Sequence, residues 1–133
     1  VVQLQAVQEN YLALRYINEP SVAVLEAAVK QDPQAMRQIT NLSKELALYL
    51  FKVSAPILGY IPNTLGVTVD EIKAIIVEAI SSDNIDADYV RELINNKAIG
   101  GRQSKWPIDL LSLIDAYGTR AVKKIAVGEY LKY

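Results

Sequence analysis

The chain has 133 residues, 51% of them apolar and 22% charged, with a net charge of −1. That is enough apolar material for a core without metal or disulfide staples, and it argues against wholesale disorder and against a globally basic nucleic-acid binder. With no cysteine and no histidine, the chain cannot build a disulfide, a cysteine nucleophile, a Ser-His-Asp triad or a Cys/His zinc site, which leaves carboxylates, lysines, tyrosines and hydroxyls as its chemistry.

The first 43 residues say nearly the same thing twice. "AVQENYLALRYI" (Ala6 to Ile17) returns 22 residues later as "AVKQDPQAMRQI" (Ala28 to Ile39). At that offset seven identities fall in register: Val2/Val24, Ala6/Ala28, Val7/Val29, Ala13/Ala35, Arg15/Arg37, Ile17/Ile39 and Ser21/Ser43. Each unit reads as two short helices. In the second unit, apolar residues at 22, 25, 28 and 29 make a helical stripe. Asp32 is a good N-cap and Pro33 suits a first helical turn, so the next helix is expected from Pro33 to about Thr40, with Ala35, Met36 and Ile39 inward. Asn10 caps the matching helix of the first unit. "NEPS" (Asn18 to Ser21) makes the turn between units, with Ser21 as the next cap. Helices this short do not hold alone, and repetition lets one apolar face pack on the next. Val1, Val2, Leu4 and Val7 have no cap before them, and the chain opens on Val1 rather than Met. Both features lead to the expectation of a fragment or processed product, with further units before Val1 or a partner over this end.

The pattern resembles a family of short bacterial and bacteriophage helical repeats of unknown function, which read roughly A-V-K-Q-N-x-x-A-[LI]-x-[YF]-[IA]. The matching residues are Ala6, Val7, Gln8, Asn10, Ala13, Leu14, Tyr16 and Ile17, then Ala28, Val29, Lys30, Gln31, Ala35, Met36 and Ile39. Asp32 departs from the usual Asn, and Gln38 from the usual aromatic. The resemblance covers residues 1–43. It implies an all-α repeat fold of phage or bacterial origin, and no catalytic residues.

From Ser43 onward the repeat is expected to give way to a helical cap continuous with it, so that residues 1–42 are repeats and 43–133 the cap. Residues 43–54 read as a helix with Leu46, Leu50 and Val53 on one face, followed by a loop at "GYIPNTLG". The stretch Leu46 to Ile61, the most apolar in the chain, is broken by Lys52 and Pro56 and is too short for a bilayer. "VTVDEI" then carries a capping box, Thr68 with Glu71, flanked by Val67 and Ile72 as a hydrophobic staple. That helix is expected to reach Ile80, burying Ile72, Ile75, Ile76, Ala79 and Ile80. Asp86 caps the next helix, to about Ala98, with Ile85 and Val90 as its staple. Helices over Ile108 to Tyr117 and Thr119 to Leu131 close the chain, the last with Ala121, Val122, Ile125 and Ala126 inward. No strand pattern is visible, so the fold class is all-α, solenoid-like.

Candidate sites are few. Asp83, Asp86 and Asp88 in "DNIDAD" lack the central glycine and correctly placed glutamate of a calcium loop and read as caps. Glu71 with Glu78, and Asp109 with Asp115, have carboxylate spacings that any amphipathic helix shows, and no nucleophile or phosphate loop accompanies them. No enzyme, cofactor or metal is expected. Residues 63–96 hold seven acids and two bases, while residues 97–133 hold three acids and seven bases. The basic residues Arg102, Lys105, Arg120, Lys123 and Lys124, with Trp106, form a candidate nucleic-acid face, unless they are a solvated surface facing the acidic segment and Trp106 is a core anchor. The favoured site is a protein-binding one: Tyr11, Arg15, Tyr16 and Arg37, residue types enriched where proteins bind proteins. The plainer alternative makes Tyr16 core and Tyr11 a solvated edge. The expected protein is a soluble, non-catalytic interaction or structural module with a protein partner or self-assembly, cytoplasmic or in a phage particle.

Overall fold

The computed structural model describes residues 2–100 and 105–131. Among these the fold is all-α, with no strand beyond an isolated bridge between Ile99 and Trp106. The contacts divide into two compact units, Val1–Gly66 and Val67–Tyr133, so the expected repeat boundary after residue 42 lies inside the first.

The first unit consists of three consecutive pairs, each an α-helix and a 3-10 helix, followed by a short 3-10 turn at Asn63–Leu65. Helix α1 (Val2–Glu9) precedes the 3-10 helix Tyr11–Tyr16, α2 (Val22–Gln31) precedes Pro33–Gln38, and α3 (Lys44–Val53) precedes Ala55–Tyr60. The 3-10 helices begin at 11, 33 and 55, so the 22-residue period continues through a third pair, where the sequence was read as a plain helix and a loop. That pair keeps the apolar character of each position and little of its identity: Leu50 and Phe51 stand where Ala28 and Val29 do, Ile57 and Leu58 where Ala35 and Met36 do. All four are fully buried.

The second member of each pair is 3-10 rather than α, and the one at Pro33 ends at Gln38 rather than at about Thr40. In the first two pairs the cap residues explain the 3-10 form; in the third, Ser54 makes no side-chain cap bond. Asn10 accepts a bond from the Leu12 N–H at 3.0 Å and Asp32 one from the Gln34 N–H at 2.9 Å. An Asn or Asp side chain that bonds two residues onward sets a tight turn. The cap carbonyls then accept from the third residue on, Ala13 to Asn10 at 3.0 Å and Ala35 to Asp32 at 2.9 Å, which is the 3-10 pattern. Extended residues Ile17, Ile39 and Ile61 stop each turn after six residues.

Each α-helix packs on the next, as does each 3-10 helix. The buried stripe of α2 is Val24, Leu25, Ala28 and Val29; Val22 faces out, leaving Ser21 free to cap the Val24 N–H at 3.4 Å. Ala28 and Ala35 are fully buried as expected, whereas Ala6 and Ala13 are only half-buried.

In the second unit, α4 (Val69–Ser81) starts at the expected capping box. The Thr68 hydroxyl accepts from the Glu71 N–H at 3.2 Å, and the Glu71 carboxylate accepts from the Thr68 N–H at 2.9 Å. Ile72, Ile75, Ile76 and Ile80 form its buried face; Ala79 is half-buried. Helix α5 (Ala87–Ile94) is capped by Asp86 but ends four residues before Ala98. The two asparagines there end it: Asn95 donates from its side chain to the Arg91 carbonyl at 2.9 Å, and Asn96 accepts from the Ala98 N–H at 2.9 Å. Helix α6 (Leu110–Tyr117) packs against α4 and α7, and α7 (Arg120–Tyr130) against α5. The Thr119 N–H donates to the Ile80 carbonyl at 3.1 Å, tying the start of α7 to the end of α4. Val122 and Ala126 are the buried residues of α7; Ile125 is half-buried and Ala121 exposed, not inward as expected.

Candidate interaction surface

The 3-10 helices of the three pairs pack in series, and a register of side-chain contacts runs along them and along the α-helices. The Arg15 Nε donates to the Gln38 Oε1 at 3.3 Å. One pair later the Arg37 guanidinium lies over the Tyr60 ring, 5.3 Å from its centre. The Gln31 amide donates to the Gln8 carbonyl and accepts from the Tyr11 N–H, clasping the main chain of the preceding pair. The Tyr49 hydroxyl donates to the Glu26 carboxylate. Arg15 to Gln38, Arg37 to Tyr60, Gln8 to Gln31 and Glu26 to Tyr49 are all separations of 23 residues. One repeat plus one residue is the distance at which corresponding edges of adjoining pairs meet. The bond to Glu26, more than burial or the carboxylate's charge, holds the Tyr49 phenol above its usual pKa.

Of the four residues expected at a protein-binding site, Arg15, Tyr16 and Arg37 are exposed and Tyr11 is half-buried. Tyr16 is 83% exposed, the reverse of the alternative that places it in the core. Arg15 and Gln38 also border a cleft of about 250 Å³ whose walls include Leu14, Ile17, Pro20 and Ile39. Glu19, also on this cleft, has φ 48°, a left-handed conformation that a residue with a Cβ adopts at a cost. Gln31 and Gln38 were read from sequence only as positions of the repeat pattern, and Tyr60 was not singled out. The signal for Tyr60 was present: it restores the aromatic at the position where Gln38 departs from the repeat pattern.

The basic candidates are spread differently. Lys105, Arg120, Lys123 and Lys124 are exposed, while Arg102 lies outside the described residues. Trp106 is 4% exposed, so its ring is part of the core and not a platform for a base. Helix α7, with three of the cations, packs on α5 from the acidic segment. In that segment Asp86 accepts from the N–H groups of Asp88 and Tyr89 at 3.1 and 3.2 Å, and Asp88 pairs with Arg91 at 3.2 Å. Loss of water around Glu92, with the charges of Asp86 and Asp88, holds its carboxyl above the usual range. Burial, then Glu92, raises Tyr89 in turn.

Among the described residues no group of three acidic side chains gathers as metal ligands, and no helix is long and apolar enough to cross a membrane. Glu71 is committed to its capping box. Asp109 caps α6, and bonds from the Ser112 main chain and hydroxyl hold its carboxyl below the usual range. No protein-family model, curated protein or solved structure matches the chain.

Proposed function

We propose that this chain is a non-catalytic helical-repeat module, solenoid-like in its first unit, that binds another protein along the edge formed by Arg15, Tyr16 and Arg37. The single observation that carries this is the 23-residue separation shared by four of the side-chain bridges. It makes the first unit an array whose surface residues recur at fixed intervals, as solenoid recognition surfaces do. Arg15 and Arg37 occupy equivalent places on that edge, Arg15 borders the cleft, and both arginine and tyrosine concentrate binding energy at interfaces. The likeness of residues 1–43 to phage and bacterial repeats supports such an origin, with the module serving as a virion component or as a binder of a host protein.

A nucleic-acid-binding role for the basic end has less support. Trp106 is buried, and α7 faces acidic α5. The test is a paired one. The folded wild type and an Arg15→Ala/Arg37→Ala variant are compared for capture of bacterial proteins, with retention of helical content as the control. Capture lost in the variant supports the proposal. Capture unchanged in the variant, or a salt-sensitive mobility shift of an oligonucleotide abolished by Lys123→Ala/Lys124→Ala, overturns it.

A further inference from the structure

The cleft beside Arg15 is built where all three pairs of the first unit meet. Leu14 and Ile17 come from the first pair, Leu25 and Ile39 from the second, and Leu46 from α3. Leu14 and Leu25 are buried, while Ile17, Ile39 and Leu46 are half-buried and leave apolar surface within the cleft. Its volume is about 250 Å³. A small-molecule site takes roughly 300–1,000 Å³, so this cleft has room for one side chain rather than for a drug-sized ligand.

Two charges of opposite sign border it, both exposed. Arg15 is held by the neutral Gln38 at 3.3 Å, and Glu19 makes no hydrogen bond or ion pair among the described residues. Neither charge is neutralised there. Among the described residues Glu19 is also the only non-glycine with left-handed backbone, φ 48°. Pro20 follows it and pushes the preceding residue toward extended backbone, so the fold holds Glu19 here against its own preference. Asn41, at the equivalent place of the next pair and also on the cleft, does not share this conformation. Strain of this kind collects at binding sites.

We propose that the cleft is a peptide pocket: it takes one large apolar side chain of an extended segment of the partner protein, with an acidic side chain of that segment on Arg15 and a basic one on Glu19. The inference rests on reading this edge as a protein-binding surface and names what the partner presents to it. A uniformly acidic or basic segment satisfies one of the two charges and is repelled by the other. In an extended segment, side chains two residues apart point the same way. The segment therefore reads acid, spacer, apolar, spacer, base, in one chain direction or the other. The apolar residue supplies the affinity, as an anchor buried in a pocket does. The exposed charges add little energy and set the choice of partner.

The test titrates the isotope-labelled full chain with end-capped peptides, followed by amide NMR. The probes are Asp-Ser-Leu-Ser-Lys, its reverse, the same two with Ala for Leu, and Ser-Ser-Leu-Ser-Ser. The expected result is saturable shifts at Leu14, Ile17, Ile39 and Leu46 with a charged Leu peptide. Ala for Leu should weaken binding roughly tenfold or more. Arg15→Ala and Glu19→Asn should each weaken it about two- to fivefold. Asn also accepts left-handed backbone, so the denaturation midpoint of Glu19→Asn should hold or rise. Absence of shifts at the cleft with every peptide overturns the proposal. So does binding indifferent to Ala for Leu or to both charge substitutions, a midpoint that falls in Glu19→Asn, or free leucine that saturates the cleft as tightly as the best peptide. Concentration-dependent shifts at the cleft without peptide overturn it too, since the occupant is then a second copy. A captured protein lost with Arg15→Ala/Arg37→Ala, while every peptide leaves the cleft unperturbed, refutes the pocket and leaves the edge reading intact.

Discussion

Replacing Gln31 tests the repeat register at one side chain. Its amide makes two bonds to the preceding pair, donating to the Gln8 carbonyl and accepting from the Tyr11 N–H. A protein hydrogen bond contributes about 0.5–1.5 kcal/mol net. Gln31 itself is exposed, so water replaces the lost partners and the lower half of that range applies. Gln31→Ala should therefore cost about 1–2 kcal/mol for the two bonds together. Gln31→Glu separates them. The carboxylate keeps the bond from Tyr11 but sets an acceptor against the Gln8 carbonyl, and only the protonated acid can donate there. The ionised form is thus penalised in the folded state, which raises the carboxyl's folded pKa above its unfolded value. Stability of the Glu variant relative to wild type then rises as pH falls through the folded pKa, whereas the Ala variant shows no such recovery. Urea denaturation of the three proteins at neutral and mildly acidic pH measures both effects. Equal deficits for Glu and Ala at both pH values would show that Gln31 does not clasp the preceding pair.

Thr68→Ala removes half of the capping box and should lower stability by about 1 kcal/mol; an unshifted denaturation midpoint would mean that α4 starts elsewhere. Ala28→Leu places a larger side chain at a fully buried position between α1 and α3 and should cost roughly 1–3 kcal/mol; calorimetry showing a neutral variant would mean that the first two pairs do not pack closely there. Because the folded pKa of Glu92 is raised, its ionisation opposes folding. Glu92→Gln should therefore stabilise the protein at neutral pH and flatten the loss of stability as pH rises just above the carboxylate range. A wild-type profile indistinguishable from that of Glu92→Gln would refute the cause assigned to the shift.

Much of the local grammar was legible before any fold was known. Asn10, Ser21, Asp32, Thr68 and Asp86 all cap where their residue types and neighbours place them, because capping is an interaction over two or three residues. The all-α class and the buried face of α4 followed from apolar spacing alone. The third pair escaped notice for an equally physical reason. Between the second and third pairs, burial preserves apolar character rather than identity or size, so Ala28 and Val29 become Leu50 and Phe51 and the identities that flagged the first repeat vanish. The 3-10 form of the second helices was also hidden, since apolar spacing over six residues does not distinguish i→i+3 from i→i+4 bonding.

The candidate surface divides the same way. Composition excluded nucleophile and zinc chemistries that need cysteine or histidine, and residue type singled out Tyr11, Arg15, Tyr16 and Arg37. Which aromatic faces water was decided in three dimensions. Tyr16 and Trp106 are both large amphipathic side chains beside basic residues, yet one is 83% exposed and the other 4%. Sequence determined the caps, the helical periods and the 22-residue spacing of the first two pairs, because these depend on neighbours along the chain. Tertiary structure alone decided the 23-residue bridges and the burial of Trp106, because each depends on what packing brings across from another element.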